Sequence, residues 1–252
     1  MGYDPSLLTA TATAEDTHFW YRARREIIVA AVASGWPRLA RGSRIVEVGC
    51  GNGGVLDALV HAFPHTHVFG LERFVEGATT AHARTKAPTA VCDVARLAVR
   101  PGIDVIGAFD VIEHLDDDEE ALSSMRAALD PSGRLLLTVP AHPRLWSDFD
   151  EASGHRRRYT AESLTAVLGR SGFEVRYVTP FMTILYAAAR VRRRRHTTTT
   201  FAHAAELVAA ELRVSSPLNA VLYRMLRQEV RVVARRGRLP TGTSLLCEAV
   251  PR

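Results

Sequence analysis

Apolar residues along this chain recur with two different periods that take turns. Before position 40 they fall three and four apart: Trp20, Ile27, Ile28 and Ala31 share one side of a helix predicted over Asp16–Ala33, which Gly35-Trp36-Pro37 ends. From Arg44 onward, short β-branched and aliphatic runs exchange with amphipathic stretches. The runs predict strands at Arg44–Val48, Thr66–Leu71, Ala90–Cys92, Ile103–Ala108 and Arg134–Val139. Between them lie predicted helices at Val55–Phe63, Ala78–Arg84 and Asp118–Leu129, and Asp130-Pro131-Ser132-Gly133 has the composition of a turn. Such alternation predicts a doubly wound α/β fold, parallel strands with helices on both faces.

The pattern loosens after Pro140. Thr160–Ser171 predicts a helix capped by Thr160, with Ser163 where a capping box usually holds Glu or Gln, so half of that box is expected. Phe173–Val178 follows as a strand and Pro180–Val191 as an apolar helix. His196–Thr200 is expected to be a loop, Phe201–Arg213 and Pro217–Arg235 amphipathic helices, and Ser244–Val250 the last strand.

Composition adds bounds. A chain of 252 residues that is 47% hydrophobic and 23% charged is ordinary for one globular domain, which excludes disordered and fibrous classes. Cys50, Cys92 and Cys247 are too far apart in sequence for a metal or redox pair, and no apolar run has the length and flanks of a signal peptide or membrane span. A cytoplasmic location is the expectation. The net charge of +5 gathers at Arg156–Arg158, Arg192–Arg195 and Arg231, Arg235, Arg236 and Arg238. No nucleic-acid motif accompanies these clusters and aromatic residues do not interleave with them, so no nucleic-acid partner is expected.

The strongest chemical signal is Glu47-Val48-Gly49-Cys50-Gly51-Asn52-Gly53, at the junction of a predicted strand and helix. Glycine there lets the backbone take positive φ and lets a ligand lie against bare main chain. Gly49, Gly51 and Gly54 also satisfy the spacing of a dinucleotide loop. The carboxylate of Glu47 is unsuited to a phosphate cradle and suits a cofactor with a positive charge or an amino group.

With Glu47-x-Gly49-x-Gly51-x-Gly53, the chain resembles the class I S-adenosylmethionine (SAM)-dependent methyltransferases, specifically a bacterial group of them. The resemblance runs from about Thr17 to Pro180 and implies a Rossmann-like seven-stranded sheet, mostly parallel with an antiparallel last strand. It also implies a helical insertion before that strand. The expected organisation is one domain: 1–40 as an N-terminal helical cover, 41–180 as the SAM-binding core, 181–240 as the insertion covering substrate, and 241–252 as the last strand. SAM is the implied cofactor. Glu72, ending the second strand, is expected to accept both ribose hydroxyls. Asp93 would meet the adenine amino group beside the Val94 amide, although a capping role for Asp93 is the alternative. Phe109 is expected against adenine or the methionine arm. In His18-Phe19-Trp20-Tyr21-Arg22, Tyr21 is the residue expected to reach the methionine moiety.

Candidate chemistry lies after the fourth and fifth strands. Asp110-Val111-Ile112-Glu113-His114 resembles the family's fourth motif, so His114 is a candidate base with Asp110 and Glu113 as positioning groups. No metal is expected. The alternative is a hard-ligand site of Asp110, Glu113 and His114, because relatives with Glu-x-x-Glu-His bind a divalent cation. Trp146-Ser147-Asp148-Phe149-Asp150 and Gly154-His155-Arg156-Arg157-Arg158-Tyr159 make His155 a second candidate and offer arginines either to an acidic substrate or to ion pairs. The expected function is methyl transfer to a small-molecule acceptor, acidic or amphipathic, at O, N or C. The alternatives are another SAM-using reaction such as a cyclase, or a SAM-binding protein without activity. The segment from Pro180 is expected to wall the substrate cavity; weak membrane-surface contact and a homodimer are its other uses.

Overall fold

Strands rich in Val, Ile and Leu are what a parallel sheet covered on both faces requires, and the computed structural model of the chain has that architecture. It describes residues 6–36, 39–193 and 204–252. In chain order the elements are α1 (Ser6–Thr17), α2 (Phe19–Gly35), β1 (Arg44–Val48), α3 (Gly54–Ala62), β2 (His67–Glu72), α4 (Val75–Thr85), β3 (Thr89–Val91) and β4 (Ile103–Phe109). Then come α5 (Asp118–Ala128), β5 (Leu129–Pro140), α6 (Asp148–Ala152), α7 (Ala161–Arg170), β6 (Phe173–Phe181), α8 (Thr183–Arg193), α9 (Ala204–Glu211), α10 (Ser216–Ala234) and β7 (Ser244–Pro251).

The seven strands form one sheet in the order β3-β2-β1-β4-β5-β7-β6, and β7 runs antiparallel to both neighbours. The expected sheet is therefore the observed one. Chain order reverses between β1 and β4, so helices leave to opposite faces and the carboxyl ends of those strands part into a crevice. On one face α2, α3 and α10 bury Ile27, Leu56, Leu59 and Leu226. On the other, α5 and α7 bury Leu122, Met125 and Leu164. Each such side chain contributes about 1.5–3 kcal/mol on leaving water.

Local departures from the sequence expectations have local causes. The turn expected at Asp130–Gly133 stays inside β5, as an irregularity where the register with β4 shifts between Ile103 and Val105. Asp130 there accepts the Ser132 amide at 2.8 Å, an Asx-type contact within extended chain. Pro180 lies within β6, one residue before its end, instead of opening a helix. That strand is the sheet edge, where a missing N–H costs no ladder bond. The capping box of α7 is complete: the Ser163 hydroxyl accepts the Thr160 amide (2.9 Å) while the Ser163 amide donates to Thr160 Oγ1 (3.1 Å). A hydroxyl thus replaces the carboxylate. Pro37 and the loop expected at His196–Thr200 lie outside the described residues, as do Arg194, Arg195 and the start of the helix expected from Phe201.

The helix expected from Asp16 is two helices, broken at His18. Its backbone is extended and its Nδ1 accepts the Trp20 amide at 3.3 Å, capping α2. The alternating Thr and Ala of α1 make no apolar stripe, which is why periodicity misses that helix. Burial holds the His18 imidazole below its ordinary 6.5. A histidine kept neutral in the fold titrates in the unfolded chain, so the stability it allows is present above that ordinary value and drains as pH falls through it. Between about pH 7.5 and 5.5 the thermal midpoint should fall further for the native chain than for His18→Asn, which caps without titrating; equal falls would contradict this role.

Candidate active site

The chain leaves β1 through a loop that only glycine tolerates. Gly49 has φ +70°, and a Cβ there would stand 2.6 Å from Val111 Cγ2. Gly53 has φ +81°, caps α3 and would press a Cβ to 2.9 Å from the Ala81 backbone. The Gly49 and Cys50 amides both donate to the Leu71 carbonyl (2.7 and 3.0 Å), which pins the loop to the end of β2. The Gly51 amide donates to Glu72 Oε2 at 2.8 Å.

Beside this loop lies a cavity of about 730 Å³ at the carboxyl ends of β1 and β4, within the roughly 300–1,000 Å³ of small-molecule sites. Of the residues expected to meet the cofactor, Tyr21, Glu47, Gly49, Gly51, Glu72, Val94 and Phe109 line it. Gly53 faces Ala81 of α4 instead. Asp93 is exposed, and its carboxylate accepts the Ala95 amide (3.0 Å), the capping alternative; Cys92 and Val94 beside it border the cavity. Glu72 Oε1 already accepts the Arg73 and Phe74 amides at 2.8 and 3.1 Å. Of its two oxygens, only Oε2 therefore keeps a lone pair for a hydroxyl.

Charge is arranged around one buried cation. Arg24 of α2 ion-pairs with Asp110 at 2.6 Å and donates to the Phe109 carbonyl at 2.8 Å. Asp110 itself sits at φ +58°, a strained position for a residue with a side chain. Glu47 is buried, its Oε2 has no hydrogen-bond partner among the described residues, and burial raises its carboxyl well above the usual range despite Arg24. Burial likewise raises Glu15 and the Tyr21 phenol. Sequence reasoning missed Arg24. The signal was a charged residue inside the apolar stripe of α2, in register with Ala23, Ile27 and Ile28. It also missed α1, which covers the loop: Asn52 Nδ2 donates to the Leu8 carbonyl (2.8 Å) and to Glu15 Oε1 (3.0 Å).

The other end of the cavity gathers the expected chemistry. Glu113 and His114 lie on the short 3-10 turn Ile112–His114, and His155 comes from the loop after α6. The His114 and His155 rings meet edge to face at 4.8 Å. Burial and the neighbouring His155 push His114 down to about 3. His155 Nδ1 lies 2.9 Å from Asp150 Oδ1. Burial alone would raise Asp150, yet hydrogen bonds from His155 and Arg158 outweigh it and hold the carboxyl at about 2. Ser147 completes the hold through its amide (2.8 Å) and hydroxyl (2.9 Å). The three arginines expected either to grip substrate or to form ion pairs do the latter: Arg156 with Asp116 (3.1 Å), Arg157 with Asp118 (3.0 Å), Arg158 with Asp150 (2.7 Å). Above this cluster Leu145, Trp146, Leu185, Ala188, Leu207 and Val208 make an apolar wall, drawn partly from α8 and α9.

One ligand atom from each of Glu113, His114 and His155 lies within 4.8 Å of the others. Asp110, expected in such a set, is held by Arg24 instead. Among the described residues no helix is long and apolar enough to cross a membrane.

Residues 19–178 match the family model described as a methyltransferase domain. A probable SAM-dependent methyltransferase of Mycolicibacterium smegmatis is 31% identical over 166 residues, 64% of this chain and 61% of that protein. A trans-aconitate 2-methyltransferase of Methylobacterium nodulans is 30% identical over 105 residues, 40% of each chain. Among solved structures, phosphoethanolamine N-methyltransferase 2 of Haemonchus contortus in complex with SAM superposes with a TM-score of 0.62 at 18% identity, covering 99% of this chain and 58% of that one. The chain spans about three fifths of the length of the first curated relatives it matches. It belongs to the methyltransferase-domain family, within the class I SAM-dependent methyltransferases.

The residues present fit SAM. Bare backbone from Gly49 to Gly51, an orphaned buried carboxylate oxygen on Glu47 and a carboxylate-rich wall suit a ligand that carries a sulfonium and an ammonium. Gly51→Ala should cost about 1 kcal/mol for its left-handed backbone alone, since its Cβ would meet nothing nearer than Leu8 at 3.6 Å. Gly49→Ala should cost roughly 1–3 kcal/mol more through the Val111 overlap. Urea midpoints of the two variants check the order; equal losses would mean that the loop gives way around position 49.

Proposed function

We propose that this protein transfers a methyl group from SAM to a heteroatom of a small amphipathic acceptor. One observation carries the reading: a single cavity joins the glycine loop to the Glu113, His114 and His155 cluster. Donor and acceptor held in one enclosure convert an encounter into an oriented displacement. Bound at the loop, SAM supplies an electrophilic methyl carbon.

The chain's own residues do the rest. Glu47, with its unused oxygen, receives the amino group of the methionine arm, and Arg24 stands by for its carboxylate while Tyr21 closes over it. Glu72 takes a ribose hydroxyl on Oε2, and Val94 and Phe109 border the adenine. At the acceptor end His155 engages the nucleophile, because Asp150 fixes its ring and leaves Nε2 for the cavity side. His114, neutral far into acid, is a poor proton acceptor. The apolar wall from α8 and α9 favours an acceptor with an apolar body. The acidic acceptor loses support because the arginines expected to grip it already hold carboxylates. Relatives and neighbours named for small molecules support the size class.

Calorimetry on ligand-stripped protein should show binding of SAM and of its demethylated product, S-adenosylhomocysteine. Absence of both heats in folded protein would end the reading. With methyl-labelled SAM, label should enter hydroxylated or aminated acceptors with an apolar body in preference to short polyacids. Once an acceptor is found, His155→Ala and Asp150→Asn should each lower kcat by about 10²–10⁴-fold with cofactor affinity retained. Unchanged turnover in both would remove that pair from the chemistry.

A further inference from the structure

We propose that the outward face of α10 docks the protein on an anionic lipid surface. Among the described residues five large apolar side chains are exposed, and three of them, Leu218, Val221 and Met225, belong to this helix. They are 50%, 52% and 50% exposed. Three and four residues apart, they form one stripe outside the face that buries Leu226 and Val233 in the core. From the sequence, membrane contact is expected of the segment after Pro180. In the structure α8 lines the cavity with Leu185 and Ala188, and the free apolar stripe lies on α10.

A helix that lies in a membrane interface pairs such a stripe with cations, and α10 does so. From Leu212 to Cys247 the sequence holds seven arginines and one carboxylate, Glu229. That carboxylate is buried and accepts the Met182 and Thr183 amides at 2.7 and 2.8 Å, so it is turned inward. Arg227 and Arg236 are paired with Glu26 and Glu248. Arg224, Arg231 and Arg235 are exposed and follow Val221 at helical spacing, on the same side of the helix. This charge decides between occupants. A second copy seated on the stripe about a two-fold axis would bring two sets of arginines together. An anionic bilayer takes both features: the stripe enters the headgroup boundary while the guanidinium groups meet lipid phosphates.

The docking face stands next to the cavity. Asn219, which follows Leu218, accepts the Phe19 amide at 2.7 Å and donates to the Thr17 carbonyl at 2.9 Å. It ties the start of α10 to the break between α1 and α2, where His18 and Phe19 line the cavity. If the methyl-transfer reading holds, on which this consequence rests, an acceptor with an apolar body is drawn from the lipid rather than from water.

Vesicle sedimentation at low salt tests the face. The full chain should sediment with vesicles of phosphatidylglycerol and phosphatidylcholine in equal parts, and stay in the supernatant with phosphatidylcholine alone. Arg224→Gln should weaken this partition about five-fold, the effect of one arginine near an anionic surface. Leu218→Ser combined with Met225→Ser keeps every charge and should weaken it about ten-fold through lost apolar burial. Val75→Ser, exposed at the start of α4, should leave it unchanged. Thermal midpoints report the folding of each variant. No sedimentation with the anionic vesicles, or equal sedimentation of the double serine variant, overturns the proposal. A concentration-dependent dimer that the double serine variant loses also overturns it, and would assign the stripe to a second copy. Protein that sediments with the vesicles yet binds neither SAM nor S-adenosylhomocysteine would instead overturn the methyl-transfer reading alone.

Discussion

The ion pair between Arg24 and Asp110 is the interaction around which this site is organised. Arg24 comes from a helix that precedes the sheet, and Asp110 leaves the end of β4 in a left-handed backbone conformation. Their 2.6 Å contact, with the second bond to the Phe109 carbonyl, docks α2 onto the crevice between β1 and β4. The same guanidinium moderates Glu15, Glu47 and Glu113, all of which burial drives toward the neutral form. Six carboxylate residues line the cavity against four arginines, of which Arg24 and Arg158 are already paired with Asp110 and Asp150. That excess of carboxylates suits a cationic cofactor.

The two ends of the cavity are built by different means. At the cofactor end the main chain does most of the work: glycines open the loop, and the Leu71 carbonyl and Glu72 carboxylate fix it. At the end that holds Glu113, His114 and His155, side chains do it. Asp150 lies at the centre of a network of Ser147, His155 and Arg158, which holds one imidazole in one orientation. Arg156 tightens the same region by donating its amide to the Glu113 carbonyl at 2.7 Å, which joins the loops after β4 and β5. Fully satisfied buried networks of this kind specify a unique geometry.

The cover of the cavity is drawn from helices that precede the sheet and from helices inserted before its last strand. The helix α1 reaches the glycine loop through Asn52 and Leu8, while α8 and α9 wall the other end with Leu185, Ala188, Leu207 and Val208. Their apolar surface against the buried carboxylates of the opposite end gives the cavity an amphipathic interior. An acceptor with one polar reacting atom and an apolar body matches that division.

Much of the core was legible in the order of residues. Parallel strands buried on both faces must be runs of Val, Ile and Leu, so Arg44–Val48 and Ile103–Phe109 announce themselves, and a glycine loop between strand and helix admits few alternatives. The nearness of Glu113 and His114 was equally evident, because they are consecutive residues of one turn. The sequence could not show α1, whose Thr and Ala make no stripe and whose stability comes from what it covers. Nor could it show that Arg24 reaches Asp110, that Asp150 holds His155, or that the three arginines are already paired with carboxylates. The contacts of Arg24, Arg156 and Arg157 cross about forty residues or more, so only the closing of the sheet brings them within bonding distance. Those of Asp150 with His155 and Arg158 are five and eight residues apart and depend on a loop conformation that no periodicity marks.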